Sequence, residues 1–141
     1  MKKYKIGFTA GIFDILHIGH IDTLRRAKEQ CEFLIVAVGT DEFLKVRKNR
    51  EAVIPYVDRI EIIASLSYVD KVVPEHNLDK IKAYYDYGFD VMFAGDDHQS
   101  EQIYIDAEKR LNQLGVDVIY LPHIHNTSST KIREKIKNMK E

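Results

Sequence analysis

Apolar, strand-length runs and amphipathic, helix-length stretches alternate along this chain throughout, and few folds accommodate that pattern. Lys5-Ile6-Gly7-Phe8-Thr9 reads as a first strand. His20 to Gln30 reads as a helix with Ile21, Leu24 and Ala27 on one face. Phe33-Leu34-Ile35-Val36-Ala37-Val38 is a nearly continuous apolar run, as in a strand buried on both faces. A basic segment, Lys45 to Arg50, follows and ends near Pro55; it reads as a loop. Val57 to Tyr68 repeats the helical pattern through Ile60, Ile63, Ala64 and Leu66. Lys71-Val72-Val73-Pro74 is a short strand, and Leu78 to Tyr87 a helix closed by Gly88. Asp90 to Ala94 and Val116 to Leu121 are two more buried-type strands. Between them lies a helix from about Ser100 to Leu114, closed by Gly115, and the last helix begins near Ser128. Strict alternation implies an α/β, doubly wound, five-stranded parallel sheet with helices on both faces, in one domain spanning 1–141. Such sheets bind ligands at the carboxyl ends of their strands. The loops after Thr9, Val38, Val73, Ala94 and Leu121 are therefore the place to look.

Composition narrows the function. A net charge of −1 provides no global field toward nucleic acid or a membrane surface. The single cysteine, Cys31, rules out an internal disulfide and a cysteine-based zinc site, and reads as a small buried apolar residue at a helix end. Met1-Lys2-Lys3 runs straight into the first strand without a signal-peptide pattern, and no apolar run approaches the ~20 residues that span a bilayer. The expectation is a cytoplasmic protein with no membrane insertion and no nucleic-acid partner.

The loop after the first strand carries the most chemistry. Thr9-Ala10-Gly11 ends that strand, followed by Ile12-Phe13-Asp14. His17 and His20 then stand one turn apart at the start of the first helix, with Gly19 between them leaving room against the helix N-terminus. Free N–H groups and the partial positive charge of a helix N-terminus favour phosphate. Two imidazoles add donors without the permanent repulsion of paired lysines. Neither G-x-G-x-x-G nor a Walker loop is present. Asn126-Thr127-Ser128-Ser129-Thr130-Lys131 opens the last helix with hydroxyls and a lysine, a second anion cradle. Gly95-Asp96-Asp97-His98 follows the fourth strand.

Gly11-x-Phe13-Asp14 ahead of His17-x-Gly19-His20 resembles the HxGH nucleotidyltransferase superfamily, in its cytidylyltransferase branch. The hydroxyl-rich segment falls where that superfamily carries its second motif. Gly95-Asp96-Asp97, Thr40-Asp41-Glu42-Phe43, Tyr68-Val69-Asp70 and Pro74-Glu75 also look like the branch that cytidylylates glycerol phosphate, so the resemblance covers nearly the whole chain. It implies a Rossmann-like fold and transfer of CMP from CTP to a small alcohol phosphate, with Mg2+ carried mainly on the nucleotide phosphates. It also implies a homodimer, for which Tyr84-Tyr85-Asp86-Tyr87 offers contact area unless those rings cap the core.

On this resemblance, His17 and His20 bind the triphosphate and stabilise the transition state, and Asp14 orients a histidine or the metal. Lys48 joins them as a catalytic residue, and Lys45, Arg47 and Arg50 close with it over the phosphates or form a solvated loop. Thr9, Ala10, Gly11, Phe13, Gly19, Arg59, Gly95, Asp96, Ser128, Ser129 and Thr130 contact the nucleotide. Asp41, Asp97, His98, His123 and His125 contact the acceptor, and no residue is assigned as a resident metal ligand. His123 and His125, at i and i+2, would point the same way, toward a metal or the acceptor pocket.

The chain departs from the branch at several positions. The arginine expected after Leu121-Pro122 is His123, followed later by Asn126 and Thr127 where the motif has glycine and isoleucine. Ser67 replaces a second arginine, and Leu78 and His98 stand where tryptophans are expected. Guanidinium groups grip phosphate bidentately and these replacements do not, so the departures bear on the second substrate. Two other readings remain open: an adenylyltransferase using ATP, and a catalytically silent nucleotide-binding regulatory domain.

Overall fold

The computed structural model describes residues 2–139. Strands β1 (Tyr4–Gly11), β2 (Cys31–Gly39), β3 (Lys71–Glu75), β4 (Val91–Gly95) and β5 (Asp117–Leu121) form one sheet in the order β3-β2-β1-β4-β5. Every pairing is parallel. The expected doubly wound, Rossmann-like sheet is therefore present. The chain builds β2 and β3 outward on one side of β1, then crosses to lay β4 and β5 on the other. The order reverses between β1 and β4, and the crevice at their carboxyl ends is the topological switch point.

Among the described residues six helices, α1 (Ile18–Gln30), α2 (Asp41–Lys48), α3 (Tyr56–Ala64), α4 (Lys80–Tyr87), α5 (Gln102–Gln113) and α6 (Ser129–Lys137), connect and flank the strands. A 3-10 turn covers Asp96–His98. Residues Leu34 through Gly39 of β2 are all buried, as its apolar run requires. Leu34, Val36 and Val38 face one side, with Leu24 and Ala27 of α1 and Ile63 of α3. Ile35 and Ala37 face the other, with Phe8, Tyr104 and Leu111. This period-two division gives the sheet a core on each face, and each of the larger of these side chains contributes ~2 kcal/mol on burial. Cys31 is buried where α1 meets β2, as expected. Gly88 and Gly115 close α4 and α5 at φ 68° and 83°.

The basic segment differs from its expectation. Lys45 to Lys48 is helical, within an α2 capped at its start by Thr40, whose hydroxyl accepts from Phe43 N–H. Asn49 ends it in the left-handed region at φ 50°. The acidic first turn and basic last turn of α2 suit the helix dipole, which the loop reading overlooked. Tyr84 and Tyr87 pack on the core beside Phe8 and Phe89, whereas Tyr85 stays exposed. No helix among the described residues is long and apolar enough to cross a membrane.

Candidate active site

After β1 the chain makes a tight loop in which two non-glycine residues, Phe13 and Ile15, have positive φ of 56° and 54°. For a β-branched residue this conformation is strained by roughly 1–2 kcal/mol and persists only if neighbours impose it. Three contacts do so. The buried Asp14 carboxylate accepts from the N–H groups of Val53 and Ile54, each at 2.9 Å. The Asp14 carbonyl accepts from the Ser129 hydroxyl. The Ile12 carbonyl accepts from Arg59 Nη1 at 2.8 Å.

This loop delivers His17 and His20 to the N-terminus of α1. Gly19 N–H donates to His17 Nδ1 at 3.0 Å, and His17 N–H donates to His20 Nδ1 at 3.3 Å. The two imidazoles thereby form a reciprocal cap, with ring centres 3.9 Å apart. An Nδ1 that accepts carries no proton, so each ring keeps its proton on Nε2, the atom left for a ligand. Burial lowers the His17 pKa. Burial, with the neighbouring His17, lowers that of His20 to about 4 against the pull of Asp14. At neutral pH the pair is uncharged. Gly19 is required by its closeness to His17: a Cβ there would lie 2.8 Å from His17 Cε1. The room expected beside Gly19 is thus filled by the histidine ring itself.

The site is a cleft with two arms that share His20, Lys48, Asp97 and Ser129. The larger, of about 480 Å³, includes Ala10, Gly11, Phe13, Arg47, Lys48, Arg50, Thr130 and Arg133 in its lining. Its cations come from α2, the following loop and α6. Arg50 Nη1 and Arg133 Nη1 are buried with no hydrogen-bond partner. The Lys48 pKa is lowered, first by burial and then by Arg50, Arg47 and Arg133. Buried guanidinium nitrogens with unmet donors, crowded by like charge, form a site for a polyanion. Arg133 was not singled out in the sequence. Its spacing four residues after Ser129 on one helix was the available signal.

The smaller arm, of about 290 Å³, includes His17, Gly19, Asp22, Pro122, His123, Ile124, His125 and Ser128 in its lining. His123 and His125 both belong to it but diverge. His123 Nδ1 lies 2.9 Å from Asp96, whereas His125 Nε2 lies 3.9 Å from the buried Asp22. Asp96, its pKa lowered by the hydrogen bond with His123, is held by that ring. Asp96, Asp97 and His123 form the group among the described residues that could hold a metal ion. An imidazole is a poor partner for Mg2+, which prefers oxygen ligands, so this group does not fit a magnesium cage.

Several expected contacts are used elsewhere. Arg59 is 1% exposed, and its guanidinium donates to the carbonyls of Ile12, Gly39 and Ile54 and to Asp41. It braces the loops behind the cleft instead of meeting phosphate, and Asp41 is its ion-pair partner instead of an acceptor contact. The Thr9 hydroxyl donates to the Phe93 carbonyl inside the sheet. Asp14 holds the backbone of Val53 and Ile54, so its carboxylate is not free to orient a histidine or a metal. Ser128 caps α6 through Lys131 N–H. Lys45 lies outside both arms, in a separate depression with Asp41 and Pro55. His98 is in the larger arm, stacked on Tyr104 at 4.5 Å.

Comparison with known proteins agrees with this geometry. Residues 8–135 match the cytidylyltransferase-like family model. Glycerol-3-phosphate cytidylyltransferase of Bacillus subtilis is 38% identical over 137 residues, covering 96% of this chain and 98% of that protein. FAD synthase of Pyrococcus abyssi is also 38% identical, over 135 residues, covering 93% of this chain and 89% of its own length. A crystal structure described as a lipopolysaccharide core biosynthesis protein from Thermoplasma volcanium superposes with a TM-score of 0.73 at 23% identity, covering 86% of this chain and 99% of that one. This last match shows the shared fold. With its sheet, its paired histidines and its cation-lined cleft, the chain belongs to the cytidylyltransferase-like family.

Proposed function

We propose that this protein is a nucleotidyltransferase that transfers CMP from CTP to a small polyol phosphate, glycerol 3-phosphate first, yielding a CDP-alcohol and pyrophosphate. The observation that carries the reading is the cleft itself: two neutral Nε2–H donors at a helix N-terminus on one side, and on the other two buried guanidinium nitrogens without hydrogen bonds, that of Arg50 only 3.7 Å from the Asp14 carboxylate.

The reaction asks little else of a protein. An oxygen of the acceptor phosphate attacks the α-phosphorus, a new P–O bond forms, and the α–β bridging bond breaks with its electron pair leaving on pyrophosphate. The nucleophile is already anionic, so no proton must be taken from it, and catalysis is positioning and charge stabilisation. His17, His20 and Lys48 act at the α-phosphate. Ser129, Thr130, Arg133 and Arg50 hold the β- and γ-phosphates. Mg2+ enters bound to the triphosphate.

The arginines support a division of labour between the two arms. The acceptor brings a second phosphate, which suits the larger arm with Arg47, Arg50 and Arg133. The smaller arm has no lining arginine, which suits the neutral base and ribose. His123 and His125 are therefore nucleoside contacts in this reading, a revision of their expected acceptor role.

A second reading, adenylyl transfer from ATP to a flavin phosphate, draws support from the FAD synthase relatives at equal identity. Pyrophosphate release from CTP and from ATP, each with glycerol 3-phosphate, ethanolamine phosphate and FMN, separates the two. Release only with ATP and FMN would replace the first reading by the second.

A further inference from the structure

The larger arm of the cleft also borders a buried ion pair that the transfer chemistry leaves unused. Glu75, the last residue of β3, is 8% exposed, and Lys80, the first of α4, is 6% exposed. Lys80 Nζ lies 2.8 Å from Glu75 Oε2. Desolvation offsets much of the attraction in such a pair, and well-packed apolar residues would often hold the fold as well. Stability alone is therefore a weak reason for it.

Only one carboxylate oxygen is engaged. Among the described residues no donor reaches Glu75 Oε1. That atom is also not sealed away, because the buried side-chain atoms without partners are Arg50 Nη1 and Arg133 Nη1. Oε1 is thus an acceptor not fully sealed off, on a side chain more than nine-tenths buried, and Glu75 lines the larger arm as well as a second depression that it shares with Lys80. Lys80 offsets its charge, so an anionic substrate can approach without strong repulsion. Around the pair, the ammonium of Lys80 lies 5.9 Å from the centre of the Tyr104 ring, and His98 Nδ1 sits 3.1 Å from both Glu101 oxygens.

We propose that Glu75 is the acceptor-reading residue, Oε1 accepting a hydrogen bond from a hydroxyl of a polyol phosphate, with Lys80 as its positioning residue. This rests on the transfer reading above and narrows it to acceptors bearing a hydroxyl near the reacting phosphate. Glycerol 3-phosphate and the ribityl chain of a flavin phosphate share that chemistry, whereas a plain alkyl phosphate lacks it.

The test compares glycerol 3-phosphate with 1-propyl phosphate (CTP as donor) and FMN (ATP as donor). The wild type should favour the polyol acceptor over propyl phosphate by about a hundredfold in kcat/KM, since a site built to bond a hydroxyl rejects the analogue without it. Glu75→Gln and the double variant Glu75→Gln/Lys80→Met should lose most of that preference through KM, with propyl phosphate little changed. The double variant leaves no unpaired lysine, and thermal melts establish that both are folded. An unchanged preference ratio in a folded variant overturns the proposal. Calorimetric titration with the polyol phosphate reads the contact without turnover. Binding that weakens about tenfold in Glu75→Gln supports the contact, even if no acceptor releases pyrophosphate and the transfer reading fails. Equal affinity overturns it.

Discussion

The two walls of the cleft are assembled differently. The histidine wall is made within four residues: His17, Gly19 and His20 cap one another through two backbone hydrogen bonds at the start of α1. The cationic wall is made from two distant segments, Arg47, Lys48 and Arg50 at the end of α2 and just after it, and Arg133 on α6. Nothing local brings these two segments together. Asp14, holding Val53 and Ile54, and Arg59, holding Ile12, Gly39 and Ile54, fasten the loop between α2 and α3 against the loop after β1. A locally encoded wall is readable in one chain; a wall encoded by long-range clamps is not.

Substitutions on each side should differ in kind. On the proposed function, His17→Ala removes a transition-state donor together with the cap. Turnover with CTP should fall at least about a hundredfold, ~3 kcal/mol, in steady-state assays. A wild-type rate would remove the histidine wall from the mechanism. Asp14→Ala leaves the N–H groups of Val53 and Ile54 without their acceptor. It should destabilise the fold by ~1–3 kcal/mol and raise KM for the nucleotide, because Arg50 Nη1 loses the Asp14 carboxylate 3.7 Å away, read by denaturant melts and kinetics. Arg133→Met should raise KM for the nucleotide about tenfold with little loss of stability, because a buried, partnerless donor is removed along with the phosphate contact. A change confined to kcat would transfer Arg133 to the other wall.

The remaining effect is in pH. Folded His20 titrates near 4, whereas unfolded histidine titrates near 6.5. Between those values the unfolded state binds more protons, so stability should fall as pH drops from about 6.5 toward 4, by at most ~3 kcal/mol. His20→Gln should remove that component from a series of thermal melts, and an unchanged pH dependence would mean His20 is not held neutral.

What was legible follows the range of the interactions. Gly88 and Gly115 marked real helix ends, and the apolar run at Phe33–Val38 marked a strand buried on both faces from Leu34 on. The tie between the buried Arg59 and the half-exposed Asp41 is not legible in one dimension, where a charged pair that fastens loops looks like one that faces a ligand. The same holds for Thr9, whose hydroxyl is satisfied by Phe93 on a strand far along the chain. The helical state of Lys45 to Lys48 is hard to see in the sequence because the charge of the segment masks the capping signal of Thr40.

By itself the sequence determined the alternating parallel architecture and the paired histidines at a helix start, since hydrophobic period and helix capping act over a few residues. The tertiary structure alone decided which cations face the cleft, that they are gathered in one of its two arms, and that Glu75 and Lys80 meet in a buried pair. Those outcomes depend on burial and charge brought together from distant segments, and neither exists until the sheet has folded.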